Sequence, residues 1–276
     1  MLPPSLPYAL LALPIANASL QRHDHPPRPL SRRANSSTPS SGFYDPRNNG
    51  GSWVDNVPNS GGGHEPLNVV ILGTSDADVL VDQDVNGGLI NYFQSIGFAG
   101  ECLGQHEGVH QSANLGDGNG DVNETAVMRW AYGDPVIGTC RESIEGGNHF
   151  RYWTQDGSQA NSGAIFMAAS YEDTAAQGHG ILPNGSRYRD WLVGNATAQS
   201  SVIPTPNLTN TSTYTGQTTM NSYVYQTTVQ YASGLLANSS NGINHASSVS
   251  VNGLPAIDGL VALMTVRILQ RPASTR

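Results

Sequence analysis

The chain has no lysine. All thirteen basic residues among its 276 are arginine, and with twenty-one acids the formal charge is −8. Phosphate binding needs clustered positive charge, so this balance argues against a nucleic-acid partner. Charge of either sign is scarce, at 12% of residues. Long apolar runs are missing as well. The run PYALLALPIA at 7–16 is too short to span a bilayer, and DGLVALMTVRIL at 258–269 contains Arg267 and precedes Arg271. No transmembrane segment is therefore expected. Several signatures of catalysis are absent: no G-x-S-x-G elbow, no P-loop, and no G-x-G-x-x-G after a strand. The GGGH stretch at 61–64 precedes the first strong strand and makes a poor phosphate cradle.

What is present points to the secretory route. The 7–16 run followed by Ala16-Asn17-Ala18 reads as a signal peptide over 1–18. Residues 19–41 are rich in Pro and Ser, with four Arg against one Asp, and cannot bury enough apolar surface to order themselves. They read as a linker or pro-segment, in which Arg32-Arg33 is either a dibasic processing site or part of an uncut linker. N-x-[ST] acceptors occur at Asn35, Asn123, Asn184, Asn195, Asn207, Asn210 and Asn238. The two cysteines, Cys102 and Cys140, are expected to pair in an oxidising compartment; two buried free thiols are the alternative. Closing a loop of about 39 residues would stabilise by ~4 kcal/mol on the chain-entropy account.

From residue 42 onward the pattern predicts one α+β domain, a mixed sheet with a few short helices. LNVVIL at 67–72 is a continuous β-branched run, the pattern of a strand buried on both faces. Leu89, Tyr92, Phe93 and Ile96 form a helical stripe that Gly97 ends, and 98–103 reads as a second strand, giving a βαβ-like unit. Residues 104–121 read as a long loop and 123–132 (NETAVMRWAY) as a helix. Segments 148–155 and 163–170 read as hairpin arms, 187–194 as a short helix, 223–231 as a strand and 258–269 as a final buried strand. The Thr/Asn/Ser-rich stretch near 196–220 is poor in core residues and reads as an insertion.

EGGNHFRYW at 145–153 raises the main question of function. In a strand, His149, Arg151 and Trp153 share one face, and Phe150 and Tyr152 the other. The first face is cationic and aromatic. Arg binds carboxylate or phosphate in bidentate fashion, and an indole stacks on a sugar ring or a cation. The small residues of AIFMAAS at 164–170 leave room beside a ring, and His179 is placed to return to the same edge. This face is a candidate site for an extracellular small molecule or carbohydrate. The alternative is a packed hairpin in which Arg151 pairs with Glu172 or Asp173.

Four strings, LNVVILGTS, GGNHFRYW, AIFMAASYED and HGILP, in this order over about residues 65–192, resemble the LssY C-terminal-type domain. That family places an early apolar strand, a His-x-Arg-x-Trp strand, an Ala-Ala-Ser strand end and a later His. It tends to carry acidic residues before an Arg-Asp pair, of which this chain keeps Arg189-Asp190. The resemblance implies an architecture and no particular activity.

His106-Glu107-Gly108-Val109-His110 matches H-E-x-x-H. On a helix, His106 and His110 would sit one turn apart and share a zinc ion, and Glu107 would be the general base of a metallopeptidase. Gly104 and Gly108 each cost such a helix about 1 kcal/mol relative to Ala. The third ligand is open among Asp117, Glu124, Glu142 and Glu145. DGNGDVN at 117–123 has the start of a calcium loop, but Val122 and Met128 stand where the turn glycine and closing Glu belong. The expectation is thus a secreted, N-glycosylated extracellular protein with no cofactor, a non-enzymatic binding or surface protein. The alternative is a secreted hydrolase, using either zinc at His106 and His110 or the face of His149, Arg151 and His179.

Overall fold

A computed structural model describes residues 38–55, 65–106, 108–182, 185–199, 208–236 and 259–273. The expected signal peptide, and the acceptors Asn35, Asn184, Asn207 and Asn238, lie outside these residues, as does Glu107.

Among the described residues, ten strands and three α-helices form a single α+β domain. The strands are β1 (Val69–Ile71), β2 (Phe98–Gly100), β3 (Ser112–Asn114), β4 (Asp121–Asn123), β5 (Ala126–Trp130), β6 (Gly147–Asp156), β7 (Asn161–Glu172), β8 (Thr213–Met220), β9 (Tyr223–Ala232) and β10 (Val261–Gln270). The helices are α1 (Leu89–Ser95), α2 (Gly138–Glu145) and α3 (Arg189–Ala196). Eight strands make one mixed sheet in the order β2-β5-β6-β7-β1-β10-β9-β8, and β3 and β4 form a separate hairpin. Among the described strands of this sheet, β1 and β10 run parallel and the other pairings are antiparallel. No described helix is long and apolar enough to cross a membrane.

The sheet sorts its residues by strand alternation. One face carries Val69, Ile71, Met128, Phe150, Tyr152, Ile165, Met167, Val229 and Met264, and meets Leu89, Tyr92 and Phe93 of α1 and Leu192, Val193 and Ala196 of α3. The ring of Phe93 lies 4.8 Å from Phe150 and 5.3 Å from Tyr152, both edge-on. Truncating so central a ring to Ala costs roughly 3–5 kcal/mol. α1 stops where Gly97 takes φ +87, and a Cβ there would run into the Trp130 ring. The Arg189-Asp190 pair is structural: Arg189 donates to the Leu260 carbonyl at 2.6 Å, and Tyr231 donates to Asp190 at 2.7 Å, tying α3 to the sheet.

The opposite face has two characters. Phe43, Trp53, Val70, Trp153, Phe166 and Ala168 form a second apolar cluster. Beside it, β5, β6 and β7 turn charged side chains to the same side, and these floor the candidate site.

Three expectations need correction. Residues 123–132 are not helical: they finish β4 and form β5, because Val127 and Arg129 alternate with Met128 and Trp130 across a strand paired to β6. β1 and β2 flank α1 but do not adjoin; β7, β6 and β5 lie between them. The Thr/Asn/Ser-rich stretch near 196–220 ends in β8, an edge strand whose alternation is half-buried against exposed. Cys102 and Cys140 are bonded, with their Cα atoms 4.5 Å apart. Asn123 and Asn210 are exposed, while Asn195 is half-buried on α3.

Candidate metal centre

Register places the charged residues. Arg129 of β5 stands opposite His149 of β6, which stands opposite Ser170 of β7; Arg151 lies between Val127 and Ala168, and Gly147 faces Glu172. The small side chains of Ala168 and Ser170 give the imidazole and guanidinium room. Gly147 does the same for α2: a Cβ there would come within 2.7 Å of Glu142 Cγ. Asp55, Glu65, Glu124, Glu142 and Glu172 are buried in this region with two buried guanidiniums, Arg129 and Arg151.

Arg129 is the hub of an inner group. Its Nη1 donates to Glu142 at 2.9 Å and to Glu172 at 2.7 Å, and its Nη2 reaches Glu101 at 3.4 Å. Burial works against the guanidinium charge, but Glu172 and Glu142 outweigh it and the pKa rises. His149 and His179 flank one carboxylate: His149 Nε2 lies 3.4 Å from Glu172 Oε1, and His179 Nε2 lies 3.4 Å from Glu172 Oε2. The late histidine therefore does return to the edge that carries His149. It does so on a left-handed backbone, φ 51.

Arg151 Nη1 donates to Glu65 at 2.8 Å and to His149 Nε2 at 3.2 Å. Arginine has no acceptor, so in this contact His149 Nε2 accepts, while its Nδ1 is buried with no hydrogen-bond partner among the described residues. The neutral form agrees with the site: burial holds His149 down to about 3, Glu172 opposes the shift, and Arg151 and Arg129 add to it. Burial pushes Glu172 up, but His149, Arg129 and His179 outweigh it and bring it down to about 2. Trp153 shares this face but belongs to its apolar part. It is 1% exposed, packs in the second apolar cluster, and donates its indole N–H to the Val122 carbonyl at 3.0 Å.

The outer group is built on the HEGVH loop. Its described residues, His106 and Gly108–His110, are not helical, and Gly108 takes φ +96. The histidines nevertheless meet. Their rings stack at 4.0 Å between centroids with an interplanar angle of 10°. His110 Nδ1 is 3.3 Å from Glu124 Oε1, and His106 Nε2 is 3.8 Å from the same oxygen. One ligand atom from each of His106, His110 and Glu124 lies within 4.8 Å of the others. Glu101 Oε2 sits 2.8 Å from His106 Nδ1, leaving Nε2 towards Glu124. Glu124 Oε2 accepts the Gln111 N–H at 2.7 Å, which orients the carboxylate. A carboxylate behind a ligating imidazole and a donor behind a ligating carboxylate are the supports a metal site uses.

Of the four sequence candidates for a third ligand, Glu124 is the one beside both histidines. Asp117 instead anchors the β6–β7 turn, accepting the Gly157 N–H at 3.0 Å and the Asn119 N–H at 3.0 Å. Glu145 pairs with Arg141 at 2.8 Å. Glu142 belongs to the inner group, which also satisfies the geometric condition for a metal through Glu142, His149 and Glu172.

The two groups are separated by where the cations lie. In the inner group a guanidinium already touches both carboxylates at 2.7–2.9 Å. The nearest guanidinium atom to Glu124 Oε1 is Arg151 Nε, at 4.0 Å. Unit charges 4 Å apart attract by only about 4 kcal/mol at an effective dielectric constant of 20. The outer group also has access, since the His110 side chain is 57% exposed. Two imidazoles and one carboxylate with an open side is a donor set suited to zinc.

Sequence reasoning missed Glu65, Glu101 and Arg129. A clue was available for Arg129: a charged residue inside the apolar alternation of AVMRW, which is costly unless the charge is paired. Comparison with protein-family models, curated proteins and solved structures finds no match to this chain.

Proposed function

We propose that this protein is a secreted, glycosylated hydrolase that holds one zinc ion on His106, His110 and Glu124. The observation that carries the reading is the convergence of those three donors around Glu124 Oε1, with Glu101 and the Gln111 amide fixing two of them. A bound divalent ion supplies Lewis acidity and an acidified water. The chain's own groups supply the rest. Arg151 sets a fixed positive charge beside Glu124. Glu65 is fully buried, which raises its pKa against the pull of Arg151, and its Oε2 has no hydrogen-bond partner among the described residues. Glu65 and its neighbour Asp55, which burial and Glu65 push up to about 8, are the carboxyls placed to carry a proton. Several ionisable groups displaced from their ordinary pKa values on one face favour an enzyme over a passive binding protein. Because His106 and Gly108–His110 are not helical, the ligand arrangement differs from a helical H-E-x-x-H site, and the reaction is assigned no closer than hydrolysis.

The test is hydrolysis of ester, amide and phosphoester panels by the zinc-loaded chain and by the His106→Ala/His110→Ala variant. The expected result is activity in the first and none in the second, with unchanged circular dichroism. Equal activity in both would remove the metal from the mechanism.

A further inference from the structure

Three of the seven N-x-[ST] acceptors fall among the described residues, at Asn123, Asn195 and Asn210. In sequence they are equivalent; in the fold they are not. A sugar chain leaves its asparagine through Nδ2 and is bulky and hydrated, so the surroundings of that atom decide what the folded protein can carry. Asn195 lies near the end of α3, whose Leu192, Val193 and Ala196 pack in the main apolar core. Its Nδ2 is buried and meets no hydrogen-bond partner among the described residues. The hydroxyl that completes this acceptor is enclosed too: Thr197 is 3% exposed and donates through Oγ1 to the Val193 carbonyl at 2.8 Å.

The other two acceptors face solvent. Asn210 and Thr211 are the exposed centre of a turn that the Ser212 N–H closes on the Thr209 carbonyl at 3.0 Å. Ser212 Oγ, the hydroxyl of that acceptor, takes the Thr209 N–H at 2.9 Å and stays half-buried at the surface. Along the end of β4, burial alternates: Asp121 and Asn123 are exposed, Val122 is half-buried and Glu124 is buried. Asn123 is thus turned outward while its neighbour Glu124 is turned into the candidate metal centre, and Thr125 is exposed again.

We propose that the folded, secreted protein carries N-linked glycans on Asn123 and Asn210 and none on Asn195. The inference rests on the reading of the chain as secreted and glycosylated; the choice among acceptors rests on the fold alone. Burial acts here by selection. A chain that gained a glycan on Asn195 before folding would have to place a branched, hydrated sugar where α3 meets the sheet, and a packed interior is strained even by extra methylenes. Such a chain would not reach this fold. A glycan on Asn123 or Asn210 displaces nothing, because each side chain already stands in solvent.

The experiment is expression of the full chain in a eukaryotic host, once as it stands and once behind a heterologous signal peptide. The secreted protein is treated with peptide N-glycosidase in heavy-oxygen water, and the asparagines converted to aspartate are mapped by mass. The expected result is conversion at Asn123 and Asn210 and none at Asn195. Asn123→Gln and Asn210→Gln should each lose the mass of one glycan, and Asn195→Gln should lose none. Conversion at Asn195 in folded, secreted protein would overturn the inference, as would an unconverted Asn123 or Asn210. Secretion and the expected pattern behind the heterologous signal alone would strike the secretory reading of the chain's own N-terminus and leave the choice among acceptors standing.

Discussion

Two imidazole–carboxylate groups share one face of the sheet and differ in what lies between their ligands. In the inner group, Glu142, His149 and Glu172 surround a guanidinium, and Arg129 touches both carboxylates within 2.9 Å. In the outer group, His106, His110 and Glu124 converge on one another, and the closest guanidinium atom to Glu124 is 4.0 Å off. The same residue types at similar spacing therefore do different work. A buried carboxylate pair must be neutralised by something. Where an arginine touches the carboxylates, the chain supplies the counter-charge itself; where the nearest guanidinium stands 4.0 Å off beside two imidazoles and an open side, the proposed metal ion would supply it.

Removing the internal cation should break this contrast most severely. Arg129→Met leaves Glu101, Glu142 and Glu172 facing one another without their shared partner, and a loss of about 3–5 kcal/mol is expected. Urea unfolding would measure it; a loss below about 1 kcal/mol would mean that the inner carboxylates do not depend on Arg129. A smaller effect is expected from Glu101→Gln, which weakens the support behind His106 and should lower zinc affinity by about 10–100-fold with little change in unfolding.

The smallest expected effect concerns pH. His149 is buried neutral, with its folded pKa near 3, so it contributes stability that is complete above pH ~6.5 and is lost as the pH falls towards about 3. Glu172, also depressed, acts with the same sign at lower pH. Asp55 is pushed up to about 8 by burial and by Glu65, so it acts with the opposite sign: its contribution is present below pH ~3.8 and lost as pH rises through about 8. His149 is faced by Glu172, Arg151, Arg129, His179 and Ser170. Unfolding of His149→Asn at several pH values should show a flatter decline between pH ~6.5 and 3; an unchanged slope would show that another group sets the acid limb.

Much of the fold was legible because its strands and helix carry strong local periodicity. The β-branched run of β1, the alternation of β6 and β9, and the Leu89/Tyr92/Phe93 stripe each declare their partner face. β5 did not, because Ala, Met, Arg and Trp are tolerated in helices, and only pairing with β6 makes the segment extended. The candidate site was half legible. His149, Arg151 and His179 were placed on one edge by alternation and turn position, and HEGVH announced two histidines at ligand spacing. Its conformation was not legible, since Gly108 at φ +96 bends the loop in a way no helix permits. Glu65, Glu101 and Glu124 come from separate segments and meet only through sheet register and the Cys102–Cys140 bond, which local sequence does not encode.

The most direct measurement is calorimetric titration of zinc into three proteins: the parent chain, Glu124→Ala and Glu142→Gln. A metal centre in the outer group predicts one ion per chain in the parent and in Glu142→Gln, and none in Glu124→Ala. Uptake by Glu124→Ala with loss in Glu142→Gln, or no uptake by the folded parent chain, would contradict it.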